Sequence, residues 1–336
     1  MWQSIKEKLT TAKDGLKGWL SNGIQMLIAR LPEGAGVWIS VSAVALVVLY
    51  YVVGAALIYE IDDDINFRPV AEESRAGSSR AVAVIAGLID REVNHNGWVL
   101  NDPFFKPGVL LDNMPNFQQG MFSAFARFSM ELRDQVGRTR GSSATDPDLE
   151  NAAGLLPYPG DVWIFNFSTS MLPTASAERQ YLKARGALVS YNLRLSTGQA
   201  VFERRSDNLL ATLDRIALDL GASTAAIDDR IQTHSGDWID TGSDDLFYSV
   251  KGQAYAYAVI LRALREDFAD VITDRDIETV YDQMLESLSA AATLQPLIVA
   301  NGDPSSLMIA NHLSTQGFLL LRARTQMREV TNILLK

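Results

Sequence analysis

The three histidines are the first place to look for metal chemistry, and their positions exclude its commonest form. A zinc protease needs two imidazoles one helical turn apart with a carboxylate between them, so that three groups converge on one ion. His95, His234 and His312 are too scattered for that pairing. Cysteine is absent, which removes thiolate ligands, cysteine nucleophiles and disulfides together. No glycine-rich turn followed by lysine offers to cradle a phosphate, and no G-x-G-x-x-G, G-x-S-x-G or S-x-x-K pattern occurs. No metal and no cofactor is expected.

Two carboxylates keep one hydrolytic route open. A helical domain can hold a Glu at the end of a helix facing a loop-lined cleft, where burial raises its pKa enough for general-acid work on a glycan. Glu92 occupies such a position at the end of an apolar helical stripe, and Asp102 follows in the next loop as a second carboxylate. The competing reading makes Glu92 an ordinary capping or salt-bridging residue. The run Asp62-Asp63-Asp64 lacks the alternating ligands and central glycine of an EF-hand loop and reads as solvated chain.

The same loop offers binding chemistry. From Asn94 to Gly120 it carries three prolines, large aromatics and a crowd of amides, and it is longer than most connections. Trp98, Asn101, Phe104, Phe105, Asn113, Asn116 and Gln118 are its candidate contacts, with Trp163 from a second aromatic stretch, Gly154 to Pro173. Amides at this density serve backbone groups in irregular chain or a polar ligand such as a glycan or peptide. The aromatics either pack down onto the fold or line a groove.

These loops need a frame, and apolar periodicity supplies it. Gly36 to Ile58 is an uncharged run of 23 residues, which at about 1.5 Å per residue crosses a hydrocarbon core of roughly 30 Å. Trp38 and Tyr59 stand near its ends, where amphipathic rings favour the headgroup level. Before it, Trp2, Ile5, Leu9, Ala12, Leu16 and Trp19 recur at helical spacing among lysines, an amphipathic pattern. Residues 1–36 hold five basic residues against three acidic ones, which favours an inside N-terminus. The formal charge of the whole chain is −10, and no basic stripe offsets it, so nucleic acid is excluded as a partner.

Residues 60–80 are polar and acidic and read as a linker. Beyond them 3.6-residue periodicity dominates. Val82 to Val93 forms one stripe, closed by Gly97, and Phe117 to Val136 a second, opened by Asn113 and Pro115. Further helices are expected at about 178–194, 199–220, from Asp244 to Phe268, from a Thr273/Asp276 capping box through Leu288, and at 305–335. Gly252, Ala254, Ala256 and Ala258 give one helix a slim surface on which a neighbour can lie close. Asp161 to Phe167 is the one β-prone stretch. The expected fold is all-α: a single N-terminal transmembrane helix followed by a multi-helix bundle with long irregular loops.

The stretches LIDREVNHNGW, NDPFFKPGVLLDNMPNFQQG, ARFSMELRDQVGRTRGSS and LPYPGDVWIF, and the layout of one early apolar helix before a helical domain, resemble proteobacterial membrane proteins grouped as domain of unknown function 2333. The resemblance runs from about residue 45 onward. It implies inner-membrane placement and a shared domain, and it carries over no catalytic residue. The resulting expectation is a cytoplasmic tail over 1–35, a transmembrane helix over 36–59, a linker over 60–80 and a periplasmic helical domain over 81–336. Its partners would be the lipid bilayer, other envelope proteins and a second copy of the chain. An envelope scaffold, assembly factor or accessory subunit acting through protein or glycan binding is the leading role. A peptidoglycan hydrolase and a transmembrane sensor signalling to the N-terminal tail are the alternatives.

Overall fold

The longest apolar run forms a helix whose bulky side chains remain exposed. A computed structural model describes residues 35–70, 75–136, 145–165, 172–234, 240–303 and 310–336. The amphipathic tail pattern of residues 2–19 lies outside them. Helix α1 (Ala35–Ile58) carries no charge, and Trp38, Leu46 and Leu57 all stand well exposed. It is long and apolar enough to cross a membrane, with every backbone donor beyond the first turn satisfied inside the helix. The chain divides into two compact units, residues up to Ala56 and residues from Leu57 to Lys336.

The second unit is built from nine helices among the described residues: α2 (Arg80–Asp90), α3 (Asn113–Glu131), α4 (Pro147–Leu155), α5 (Ala177–Ser196), α6 (Ser206–His234), α7 (Thr241–Asp267), α8 (Ala269–Asp274), α9 (Glu278–Ala292) and α10 (His312–Leu334). No strand occurs among the described residues. An isolated bridge between Asn301 and Asn311 is the only β pairing among them, and the β-prone residues up to Phe165 are turns and irregular chain. The all-α expectation holds.

Helix α7 is the centre. From Val250 to Leu264 nearly every side chain is buried on every face, as expected of a helix surrounded by others. Helices α2, α3 and α9 pack directly on it, while α10 pairs with α6 and α9. The slim surface acts where α3 crosses: a β-carbon on Gly252 would overlap the Phe117 carbonyl, and one on Gly120 the Ser249 carbonyl. Two missing side chains bring the backbones together.

Several expected boundaries move. The fourth helix begins at Ser206 and runs to His234, because Gln199 to Arg205 form an irregular stretch after Gly198, whose φ is +72°. Asp240, not Asp244, caps α7 by accepting from the Ser243 amide. Thr273 lies inside α8, which ends at Asp274, and Asp276 takes a positive φ of 52°, so the capping box does not form and Ile277 opens α9 without a side-chain cap. Asn311 caps α10, later than the expected start.

The acidic stretch after α1 differs most from its reading. Ile61, Ile65 and Phe67 pack against the core. Asp62 pairs with Arg91 at 2.9 Å and Asp63 with the buried Lys251 at 2.7 Å. The Asp64 carbonyl accepts from the Tyr255 hydroxyl and the Ile65 carbonyl from Arg262. Asp62 and Asp63 are therefore not solvated, and only the Asp64 carboxylate is exposed. Their cationic partners lie about 30 and 190 residues along the chain, out of reach of any local reading.

Candidate functional site

Helix α2 ends in a π-turn, Arg91–His95, in which the Asn96 amide reaches back five residues to the Arg91 carbonyl at 2.8 Å. Gly97, at φ +81°, then turns the chain away. Such single-turn widenings are uncommon and frequent at functional sites. This one buries two adjacent charges, Arg91 and Glu92. Arg91 donates from Nε to Glu92 at 2.8 Å, from Nη1 to the Tyr255 hydroxyl at 2.9 Å and from Nη2 to the Asp62 carbonyl at 3.0 Å. Its guanidinium lies against the Phe67 and Tyr255 rings, a cation–π arrangement.

Glu92 is 1% exposed. Besides Arg91 it accepts from Gln118 Nε2 at 3.1 Å and Asn96 Nδ2 at 3.3 Å. Burial pushes its carboxyl above the ordinary carboxylate range, against the opposing pull of Arg91 and Gln118. That raised value is what a general acid needs. Geometry denies it the substrate, because both oxygens are spent on protein donors and the group has no opening to solvent. The Asp102 carboxylate bonds to none of these groups and pairs instead with Lys106 at 2.7 Å. The structure therefore does not join Glu92 and Asp102 into a shared pair. Glu92 is a salt-bridging residue in a closed network.

Most of the remaining candidates are bonded within the fold. Trp98 is buried, donates to the Gly160 carbonyl at 2.8 Å and meets the rings of Phe122 and Tyr181. Asn101 donates to the Val162 carbonyl at 2.9 Å and to Glu178 at 2.8 Å, fastening one loop to the other. Gln118 bridges Glu92 and the Gly97 carbonyl. Asn113 faces the Asp244 carboxylate, and Asn116 donates to Asp245 at 2.7 Å, where α3 and α7 begin. The histidines are also separated: His95 sits beside Asp90, His234 beside Thr233, and His312 accepts the Ala300 amide.

Three candidates share a surface. Phe104 is 80% exposed and Phe105 about half. Their rings meet at 5.5 Å, Phe105 meets Trp163 at 5.9 Å, and Trp163 meets Phe165 at 5.6 Å. The Trp98–Gly160 and Asn101–Val162 bonds hold the two loops in the register that lines these rings up. Exposed Val109, Leu110 and Ile164 flank them in the sequence. Four aromatic rings in a row at a surface form an apolar face of the kind that marks interaction sites.

A family model described as "uncharacterized protein conserved in bacteria", domain of unknown function 2333, matches residues 36–235 and 222–336. The chain belongs to this family. No curated protein and no solved structure matches it. As a family member the protein shares its domain from the apolar helix to the C-terminus, which includes both aromatic loops and the π-turn.

Sequence reasoning missed Arg91, Tyr255 and Lys251 as partners of the acidic stretch. Adjacent opposite charges at the end of an otherwise apolar helix, Arg91-Glu92, were a usable signal. So was the spacing of Ile61, Ile65 and Phe67 within supposedly free chain.

Proposed function

We propose that this protein is held in the bacterial inner membrane by α1, with its N-terminus cytoplasmic and its helical domain periplasmic, and that the domain works by binding. Its role is that of an envelope scaffold, assembly factor or accessory subunit. The docking surface is the aromatic row Phe104, Phe105, Trp163 and Phe165, and its target is an envelope protein or glycan. That surface row is the observation that carries the reading, since large rings lined up at a surface are efficient at anchoring a partner. The closed environment of Glu92 argues against glycan hydrolysis.

Photocrosslinking in cells tests the proposal. A benzoyl-phenylalanine at Phe104 is expected to give a discrete adduct that Phe105→Asp abolishes, whereas the same group at Leu218, also well exposed on α6, gives none. Identical labelling at both positions overturns it. The anchor is tested by alkaline carbonate, which should leave the full chain in the membrane and release it once residues 36–58 are deleted.

A second reading, a sensor that signals to the N-terminal tail, is favoured by one observation: the stretch following α1 is bonded to the core rather than free. It predicts loss of function on deletion of residues 2–30 with membrane retention unchanged.

A further inference from the structure

We infer that the groove walled by residues 66–69, α2 and α7 is a binding site for an organic anion, a phosphate or carboxylate head on a short apolar tail. The groove encloses about 290 Å³. Its inner wall is the buried apolar surface of Val84, Val259 and Ala263, with the Phe67 ring and Pro69 beside it. Its rim holds three guanidiniums, those of Arg68, Arg80 and Arg262, against the single carboxylate of Glu266. In a chain of net charge −10 this is a local excess of positive charge over an apolar floor.

The guanidiniums have donors to spare. Arg262 uses only Nη1, which donates to the Ile65 carbonyl at 2.9 Å and to Asn66 Oδ1 at 2.8 Å. Those bonds fix the fork at the rim and leave Nε and Nη2 available. Arg80 meets Glu266 loosely, at 3.6 Å, with both side chains about half exposed. Arg68 is exposed and bonds to no described residue. Arginine forks match the paired oxygens of a carboxylate or phosphate and bind them bidentately. The volume sits at about the lower limit of small-molecule sites, roughly 300 Å³, which restricts the tail to a short one. A lipid headgroup and a soluble alkyl phosphate present the same chemistry.

The test uses the full-length protein in phosphatidylcholine nanodiscs, titrated calorimetrically with hexyl phosphate and with inorganic phosphate. Hexyl phosphate should bind saturably and more tightly than inorganic phosphate, because only it uses the apolar wall. Arg68→Ala should weaken it at least about tenfold, and Arg68→Lys should recover part of the loss. Arg68 makes no contact that the fold needs, and an unchanged thermal melt of the variant verifies this. If phosphatidylglycerol in the disc competes with hexyl phosphate in wild type, the headgroup is the source of the anion; if it does not, a soluble anion is. Absence of saturable binding, or equal affinity in wild type and Arg68→Ala, overturns the site. Incorporation into the disc reports on α1 and the titration on the groove, so the membrane reading and this one fail separately.

Discussion

The π-turn and the Phe104–Phe105 half of the aromatic row lie within about a dozen residues of each other in sequence, and both attract attention as chemistry. The turn has a buried acid with a raised pKa, and both oxygens of that acid are committed to neighbours. The row has no titratable group at all, and Phe104, Phe105 and Phe165 are exposed at the surface with Trp163 half-buried between them. A shifted carboxyl marks a functional site only when something outside the protein can reach it. Here the polar cluster holds the fold and the apolar surface faces outward, the reverse of what residue types alone suggest.

Breaking the turn should have the largest effect. Arg91→Ala leaves Glu92 buried beside Gln118 without its cation, and removal of one partner of a buried ion pair costs about 3–5 kcal/mol. Urea denaturation should register this as a large fall in midpoint. A change below about 1 kcal/mol would mean the turn is open to water and would restore Glu92 as a candidate acid. Asn101→Ala comes next, at about 1–3 kcal/mol, because Glu178 and the Val162 carbonyl lose a buried donor. It should also reduce crosslinking from Phe104, since the two loops lose their fastening. Unchanged crosslinking would show that the row is aligned by other contacts.

A third test uses pH at the start of α7. Burial, with Asp112 and Asp245 nearby, raises Asp244 to about 6. A carboxyl whose folded pKa is raised adds stability that is complete below its unfolded value of about 4 and is lost as pH climbs through about 6. Asp244→Asn should therefore gain on wild type as pH goes from 4 to 7. A difference that does not vary with pH over that window removes the argument. The smallest effect belongs to the row. Phe104→Ser with Phe105→Ser should alter stability by no more than about 0.5 kcal/mol while removing the crosslinked adduct. A large loss of stability would show that these rings pack as core.

Much of the helical frame was legible. The stripe from Leu246 to Phe268 and the glycine at 97 follow from periodicity and from the freedom of glycine at positive φ. Helix α4 was missed because it is short and lies between proline-rich loops, although Asp146 before Pro147 is a sound start signal. The site was legible only in composition. That Trp98 turns inward depends on Gly160, whose lack of a side chain leaves room for the Trp98 ring. No property of the loop from Asn94 onward reveals that distant glycine.

The fastening of Asp62, Asp63 and Asp64 has a mechanical consequence. Between Ile58, the last residue of α1, and Ile61, the first packed against the core, the chain has almost no slack. Tension applied at Leu57 would load Arg91 and Lys251, the pins that hold the chain to α2 and α7, before it stretched any spacer. A pull at Leu57 is thus delivered to the centre of the bundle within a few residues.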